Sequence, residues 1–575
     1  MDFKFKDQDK FWHSSAHLMA QAVKALWPKV KTTIGPTIET GFYYDFYKKD
    51  PFKPEDLKKI EEKMKELAKQ DLKITKKTLT IAEAKKLFKD NEFKIELIDE
   101  LKKAGEKTVT AYQQGDFIDL CRGPHLKSTK EIQAFKLTKI SSAYWRGKSE
   151  NTSLQRIYGV SFPDKKILRQ YLQLLIEAEK RDHRKIGAKL NLFSFHEEAP
   201  GMPFFHDKGF HIFKKLLEFM RQEIRKRDYV EVKTPIILSK KCWLKSGHWD
   251  NFKENMYFTT IDKEENAVKP MNCPGQVLIY KNTMHSYKEF PIRMAEFGLV
   301  HRHELSGVLS GLFRVRAFTQ DDAHVFCLPE QLNDEIKALI DLADFIYKTF
   351  GMDYEIELST RPEKSIGTDA MWNKAEKALK DTLKEKKLDY QLNPGDGAFY
   401  GPKIDFHLKD AIGRTHQCAT IQVDFSIPDR YDLTYMDEKG NQDKRPVMLH
   451  RTIYGSMERF IGVLIEHFAG NFPLWINPNQ IIILPIADRH NKYAEKVKQQ
   501  FFDAGFRVEL DLRTESTGKK IREAQLNKFN YIMVIGDNEQ KNKTANVRTR
   551  DNKVHGEKKV DELIKKLLKE VEDKK

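Results

Sequence analysis

The pattern of hydrophobic and polar positions switches between helical and strand-like spacing along the chain, and the mix of the two divides it into regions. The segment FWHSSAHLMAQAVKALW (11–27) repeats apolar side chains every three to four residues and stops before Pro28, which predicts a helix. IGPTIETGFYYDFYKKD then reads as loop and strand. PEDLKKIEEKMKELAKQ opens on Pro54 and acidic residues that suit a first helical turn, and strand-like pieces flank DFIDLCRGPHL. Residues 1–163 are therefore expected to form a first α+β unit. The charged stretch 164–190, which opens with DKKILRQYLQLLIEAEKRDHRKIG, keeps helical spacing and predicts a connecting helix.

From 191 to 476 the pattern changes. The helix FHIFKKLLEFMRQEIRKRDY leads into VEVKTPIIL. Strand patterns recur at ENMYFTT, PIRMAEFG, RVRAFTQDDAHVFC, DYEIELST, KIDFHL and TIQVDFSI. Many strands with few helices between them predict an antiparallel sheet in an α+β domain. In 477–575 the short apolar strands IIILPI, RVELDL and YIMVIGD are separated by helices at NKYAEKVKQQFFDAG and KKIREAQLNKF, which predicts a small, mostly parallel α/β domain. The chain is thus expected to be a multidomain α+β protein, as its 575 residues allow.

Composition adds two constraints. Lys and Arg number 101 against 85 Asp and Glu, a net charge of +16 that points to a polyanionic partner, nucleic acid first. The five cysteines are scattered, which argues for a reducing compartment rather than a disulfide framework. No apolar run approaches the ~20 residues of a membrane span, and the N-terminus has no apolar signal core, so a cytoplasmic protein with no membrane partner is expected.

Candidate chemistry lies in three places. In LVHRHELSGVLSGLFRVRAFTQDDAHVF, Arg302 and Glu304 would share a strand face, and a hairpin with basic residues on one face can hold a nucleotide, with Phe318 free to stack on a base. Arg459 sits on an otherwise apolar helix in VMLHRTIYGSMERFIGVLIEH, where its burial would call for an anion. His13 and His17 stand one helical turn apart, and CRGPH places Cys121 and His125 in a Gly-Pro loop: an HxxxH…CxxxH set that can hold a metal or line a polar cleft. By residue type alone, Cys273, His324 and His450 are no better metal ligands than Cys327, His301, His303 or Cys418.

Taken together the motifs resemble threonyl-tRNA synthetases of the bacterial type, class II aminoacyl-tRNA synthetases. The helix before KTP (to Pro235) looks like the first class II motif, RHE with GLFRVRAFTQDDAH like the second, and GSMERF like the third. SGHWDNF, MNCPG, FTQDDAH, FYGPKID and LHRTIYGSMERFIG are similar to the threonyl group in particular. The resemblance implies an N-terminal editing domain (1–163), a linker helix (164–190), a class II catalytic domain (191–476) and an anticodon-binding domain (477–575). It implies ligation of threonine to tRNA(Thr) with ATP and hydrolysis of mischarged Ser-tRNA(Thr). Arg302 would bind the α-phosphate and substrate carboxylate, Arg314 and Arg459 the far phosphates, and Phe318 the adenine. Mg²⁺ would accompany ATP, with Glu304 among its contacts. The motif matches select Cys273, His324 and His450 as ligands of one Zn²⁺, with Asp322 accepting the substrate hydroxyl proton and Gln320, Tyr400, Lys403, Gln417 and Gln422 around the substrate.

Such a zinc is chemically apt. Threonine and valine are nearly isosteric, and a site that must ligate the hydroxyl rejects its absence by ~10⁴–10⁵ where an apolar pocket cannot. Serine keeps the hydroxyl and is smaller, so a second, hydrolytic sieve is needed. His13, His17, Cys121 and His125, with Tyr44 and Asp119, match that editing site. Glu539 and Arg548 match residues that bond to anticodon bases, and a homodimer through the catalytic domain is implied. The family's long form carries a further small domain ahead of the editing domain. This chain begins just before His13, so that domain is expected to be missing. The competing readings are a synthetase-like RNA-binding protein without catalysis and a seryl or prolyl enzyme. Retention of Arg302, Arg459 and the Cys-His-His set argues against both.

Overall fold

The computed structural model describes residues 3–38, 40–148 and 150–575. The chain folds as two units, Met1–Glu177 and Ala178–Lys575.

In the first unit the helix Gln8–Leu26 is buried over most of its circumference, including Ser14, Ser15, His17 and Gln21. Polar residues survive there because each has a partner: Ser14 and Ser15 bond to the carbonyls of Lys10 and Phe11, and Gln21 exchanges amide bonds with Gln114. The helix packs on an antiparallel sheet in the order Lys31–Thr32, Gly41–Tyr47, Ser153–Phe162, Ala134–Tyr144. The helix Pro54–Lys69 starts with proline at its first turn, where Asp56 accepts the Lys53 amide. A second antiparallel sheet, Ile74–Thr80, Thr108–Gln114 and Phe117–Leu120, carries the helices Ile81–Leu87 and Glu92–Lys103. The stretch read from sequence as one connecting helix is two, Lys165–Arg181 and His183–Lys189. Asp182 breaks it by capping the second helix through the Arg184 amide.

The second unit is built on an eight-stranded sheet ordered Val230–Glu231, Ile292–His301, Ala317–Cys327, Val447–Ser456, Thr415–Asp424, Lys403–Lys409, Tyr354–Ser359, Gln391–Asn393. The six inner strands are antiparallel. The short outer strands pair parallel to their neighbours, so the sheet is mixed rather than purely antiparallel. Helices Asp207–Arg225, Leu332–Thr349 and Met457–Phe468 bury one face in a single large core.

One irregularity shapes the other face. The pairing of Ala317–Cys327 with Val447–Ser456 shifts between Gln320 and Asp322. The displaced Asp321 carboxylate accepts the amides of Ile453, Tyr454 and Gly455 at 2.9, 3.0 and 3.1 Å. Gly455 has φ +79°, and a Cβ there would lie 2.5 Å from the Cys418 carbonyl, so only glycine fits.

Residues 302–316 do not continue the hairpin strands as the R-H-E alternation predicts. The strand ends at His301 and resumes at Ala317. After Arg302 the amides leave the ladder: His303 donates to Asn255 and Arg316 to Gly201. Arg302 and Glu304 therefore project from a loop.

The last region has the sheet order Val508–Leu510, Ile481–Pro485, Tyr531–Ile535, Thr544–Thr549, Val554–Lys559. The first three strands are parallel as expected, and an antiparallel hairpin that the sequence pattern did not reveal follows. Among the described residues, no helix is long and apolar enough to cross a membrane.

Candidate active site

His324 and His450 stand directly opposite each other on adjacent antiparallel strands, so their side chains share a face. Their ring centroids are 4.7 Å apart. Cys273 arrives from the first residue of the helix Cys273–Lys281. One donor atom from each of the three lies within 4.8 Å of the others, and all three residues are buried. Three features call for a cation. His324 Nδ1 is buried without a hydrogen-bond partner. His450 Nε2 is 3.0 Å from the fully buried Asp424 carboxylate, the arrangement that orients a ligating imidazole. Burial, and then Asp322 and Asp424, push the Cys273 thiol well above its usual range, so only a bound cation would hold it as thiolate. The set fits a divalent metal with borderline-soft character and leaves room for a further ligand.

These residues wall a cavity of about 190 Å³ that Arg302, Gln320, Asp322, Tyr400 and Gln422 also line. A volume of that size suits an amino acid and little more. Burial pushes the Asp322 carboxyl up to about 6, while the Asn272 amide, 3.1 Å away, pulls it down. The remaining candidates lie outside the cavity wall. The buried Phe318 ring has its centroid 5.2 Å from the guanidinium of the wall residue Arg302. Glu304 and Arg314 form an ion pair at 2.9 Å. Lys403 is held by Asp405 at 2.6 Å and Asp396 at 3.2 Å. The Gln417 carbonyl accepts from Arg459, whose Nε also donates to the Phe313 carbonyl. Arg459 is thus half-buried against carbonyl groups.

The second cluster lies in the first unit. His13 and His17 come from the helix Gln8–Leu26, Cys121 and His125 from the loop after Phe117–Leu120, and their donor atoms again lie within 4.8 Å of one another. Cys121 Sγ is 3.2 Å from His13 Nε2 and 3.1 Å from His125 Nε2, and His125 Nδ1 is 3.2 Å from Ser14 Oγ. The loop closes tightly: Gly123 has φ +73° and a Cβ there would overlap the Tyr112 hydroxyl. Burial depresses all three imidazoles. His125 falls to about 2, His17 lies well below its normal value and His13 is lowered, while burial raises the Cys121 thiol to about 11. The cluster is uncharged at neutral pH. Beside it the buried Asp119 takes an ion pair from Lys94 at 2.6 Å and a short hydrogen bond from Tyr44. Most of these side chains open on a cavity of about 1010 Å³, much larger than the first.

Comparison with known proteins decides the family. The chain is 55% identical to the threonine–tRNA ligase of Carboxydothermus hydrogenoformans over 100% of its own length and 90% of the relative's. It is 54% identical to that of Clostridioides difficile over the same shares. This chain belongs to the threonine–tRNA ligase family. Residues 257–468 match the tRNA synthetase class II core domain (G, H, P, S and T), 480–570 the anticodon binding domain, and 109–158 the threonyl and alanyl tRNA synthetase second additional domain. The RNA binding domain of the threonyl-tRNA synthetase from Cryptosporidium parvum superimposes with a TM-score of 0.66 at 44% identity, covering 68% of this chain and 98% of that one.

Within that family frame, the anticodon candidates take different roles in the fold. Glu539 lies on the short helix Asp537–Asn542 and accepts the Gly536 amide. Arg548 lies on Thr544–Thr549 with Nε buried and without a hydrogen-bond partner in the protein. Three further residues escaped the sequence reading. Lys94 is the buried cation beside Asp119. Asn272 holds Asp322. Arg451 is buried at the cavity wall, with one nitrogen on the Asp321 carbonyl at 2.6 Å.

Proposed function

We propose that this member of the family activates L-threonine with ATP, forming threonyl-adenylate and pyrophosphate, and transfers the threonyl group to tRNA(Thr) in the cytoplasm. The observation that carries the reading is the convergence of Cys273, His324 and His450 with Asp322 on a cavity of about 190 Å³. Those three side chains would hold Zn²⁺, which when bound supplies a Lewis-acidic position for a β-hydroxy amine. Asp322 accepts the hydrogen bond of the threonine hydroxyl, a demand that valine cannot meet. Arg302, at the cavity mouth beside Phe318, neutralises the substrate carboxylate and α-phosphate, and Phe318 offers its ring to adenine. Arg314 and Arg459 serve the far phosphates of the magnesium complex of ATP, with Glu304 near the metal. Gln320, Tyr400 and Gln422 shape the amino-acid cavity, and Lys403 and Gln417 stand behind it. The step is an in-line attack of carboxylate on phosphorus, in which positioning and charge neutralisation suffice.

For the first unit the reading is hydrolysis of Ser-tRNA(Thr). A neutral imidazole, His13 being the most exposed of the three, takes a proton from water as it attacks the ester carbonyl and returns it to the ribose oxygen of the tRNA as the ester bond breaks and serine leaves. Tyr44, Lys94 and Asp119 fix the neighbouring polar wall. The division into editing (1–163), linker (164–190), catalytic (191–476) and anticodon-binding (477–575) regions, tRNA reading by Glu539 and Arg548, and a homodimer through the catalytic domain belong to the same proposal.

Amino-acid-dependent ATP–pyrophosphate exchange tests it. Threonine should lead, serine should follow at reduced efficiency, and valine and proline should fall ~10⁴-fold below threonine. Exchange that favoured proline, serine or valine would overturn the assignment.

A further inference from the structure

The loop 310–314, which carries Arg314 and touches Arg459, rests on a buried cluster outside the cavity. His183, the first residue of His183–Lys189, is 2% exposed. Its Nε2 accepts the Leu312 amide at 3.0 Å. A backbone amide can only donate, so the proton of this imidazole must sit on Nδ1. Nδ1 in turn lies 2.6 Å from Glu466 Oε1, which also accepts the His183 amide at 3.0 Å. The second Glu466 oxygen is taken by Arg414, whose other partner is Asp410. Glu466 stands on the same helix, Met457–Phe468, as Arg459.

The loop is fitted to this imidazole. The Phe313 ring lies between His183, with centroids 4.2 Å apart, and His416, at 4.9 Å. At Gly311, φ is +50° and a Cβ would fall 2.2 Å from His183 Nε2, so the backbone passes tightly against the Nε2 edge of the ring. The Phe313 carbonyl, held one residue beyond Leu312, is the acceptor of Arg459 Nε at 2.9 Å.

We propose that His183 is a positioning residue for ATP. As a single tautomer pinned by Glu466, it fixes the Leu312 amide and through it the Phe313 carbonyl that aims Arg459 and the turn that presents Arg314. This rests on the reading that Arg314 and Arg459 serve the phosphates. It does not depend on which amino acid is activated.

Two substitutions separate the two ends of the ring. His183→Asn keeps a donor where Nδ1 stands and removes the acceptor at Nε2. His183→Gln carries an oxygen out to the Nε2 position. Titration of ATP into the full chain should show about five- to tenfold weaker binding for the Asn variant, the weight of one neutral hydrogen bond, and recovery of most of that loss with Gln. In the exchange assay the KM for ATP should rise while the KM for threonine stays within about twofold. Unchanged ATP affinity in the Asn variant, or equal losses for ATP and threonine, would overturn the proposal. In the unaltered protein the Leu312 amide should exchange with deuterium far more slowly than those of 306–310; equal rates would also overturn it. Because the ATP titration contains no amino acid, a wrong threonine assignment would fail the exchange series and leave this result intact.

Discussion

Replacing Cys273 with alanine should lower threonine-dependent ATP–pyrophosphate exchange by roughly 10³-fold, because one of three metal donors is lost and the hydroxyl of the substrate is no longer demanded. The thiol is buried and far above its usual range, which leaves it no other role as an anion. Cys327 and Cys418 make the control: both are buried thiols in the main core and neither lines the cavity. Cys327→Ala and Cys418→Ala should cost some stability and change exchange by no more than a few fold. Steady-state exchange at saturating ATP reads all three. Near-native activity of Cys273→Ala, in protein shown to hold no metal, would remove the cation from the account.

His13→Ala should slow hydrolysis of Ser-tRNA(Thr) by about 10²-fold or more, the usual weight of a positioned general base, and leave threonine activation unchanged. His13 is the least buried of the three imidazoles and hydrogen-bonds Cys121 at 3.2 Å, so its removal opens the cluster without emptying the core. Deacylation of preformed Ser-tRNA(Thr) is the assay. A rate equal to that of the unaltered protein would strip His13 of the proposed role. Lys94→Met, which leaves Asp119 buried beside Tyr44 with no cation, is a harsher change and would also test whether the ion pair holds the wall in place.

Much of this was legible along the chain because periodicity reports burial. The helix at 8–26 and the three parallel strands after 480 declare themselves by spacing alone. The cluster of His13, His17, Cys121 and His125 was half legible too, since His13 and His17 share a helical face and Cys121 and His125 share a loop. The Cys273–His324–His450 set was not. His324 and His450 meet only through the register of two strands more than a hundred residues apart in sequence, and Cys273 joins them from a helix start. Family motifs, not spacing, selected them.

The failures have physical reasons. R-H-E at 302–304 alternates like a strand, yet past Arg302 its amides leave the ladder, His303 donating to Asn255 and Glu304 to Arg302, a tertiary choice with no local sign. Lys94 sits in the charged run KDNEFKIELIDELKK and reads as solvated until Asp119 is seen against it. Within the protein Arg459 donates to the Phe313 and Gln417 carbonyls, which seat the guanidinium; the anion that its apolar helix predicts is assigned to the nucleotide in the proposed function. The hairpin 544–559 was missed because its outer strand, VHGEKK, carries a single apolar residue and that residue is exposed, so no alternation marks it.

X-ray absorption at the zinc edge reaches the central claim most directly. The expected spectrum is that of about one zinc per chain, with one sulfur near 2.3 Å and two imidazole nitrogens near 2.0–2.1 Å, and with the light-atom shell altered by threonine but not by valine. A shell of oxygens, a second sulfur, or a spectrum indifferent to threonine would contradict it.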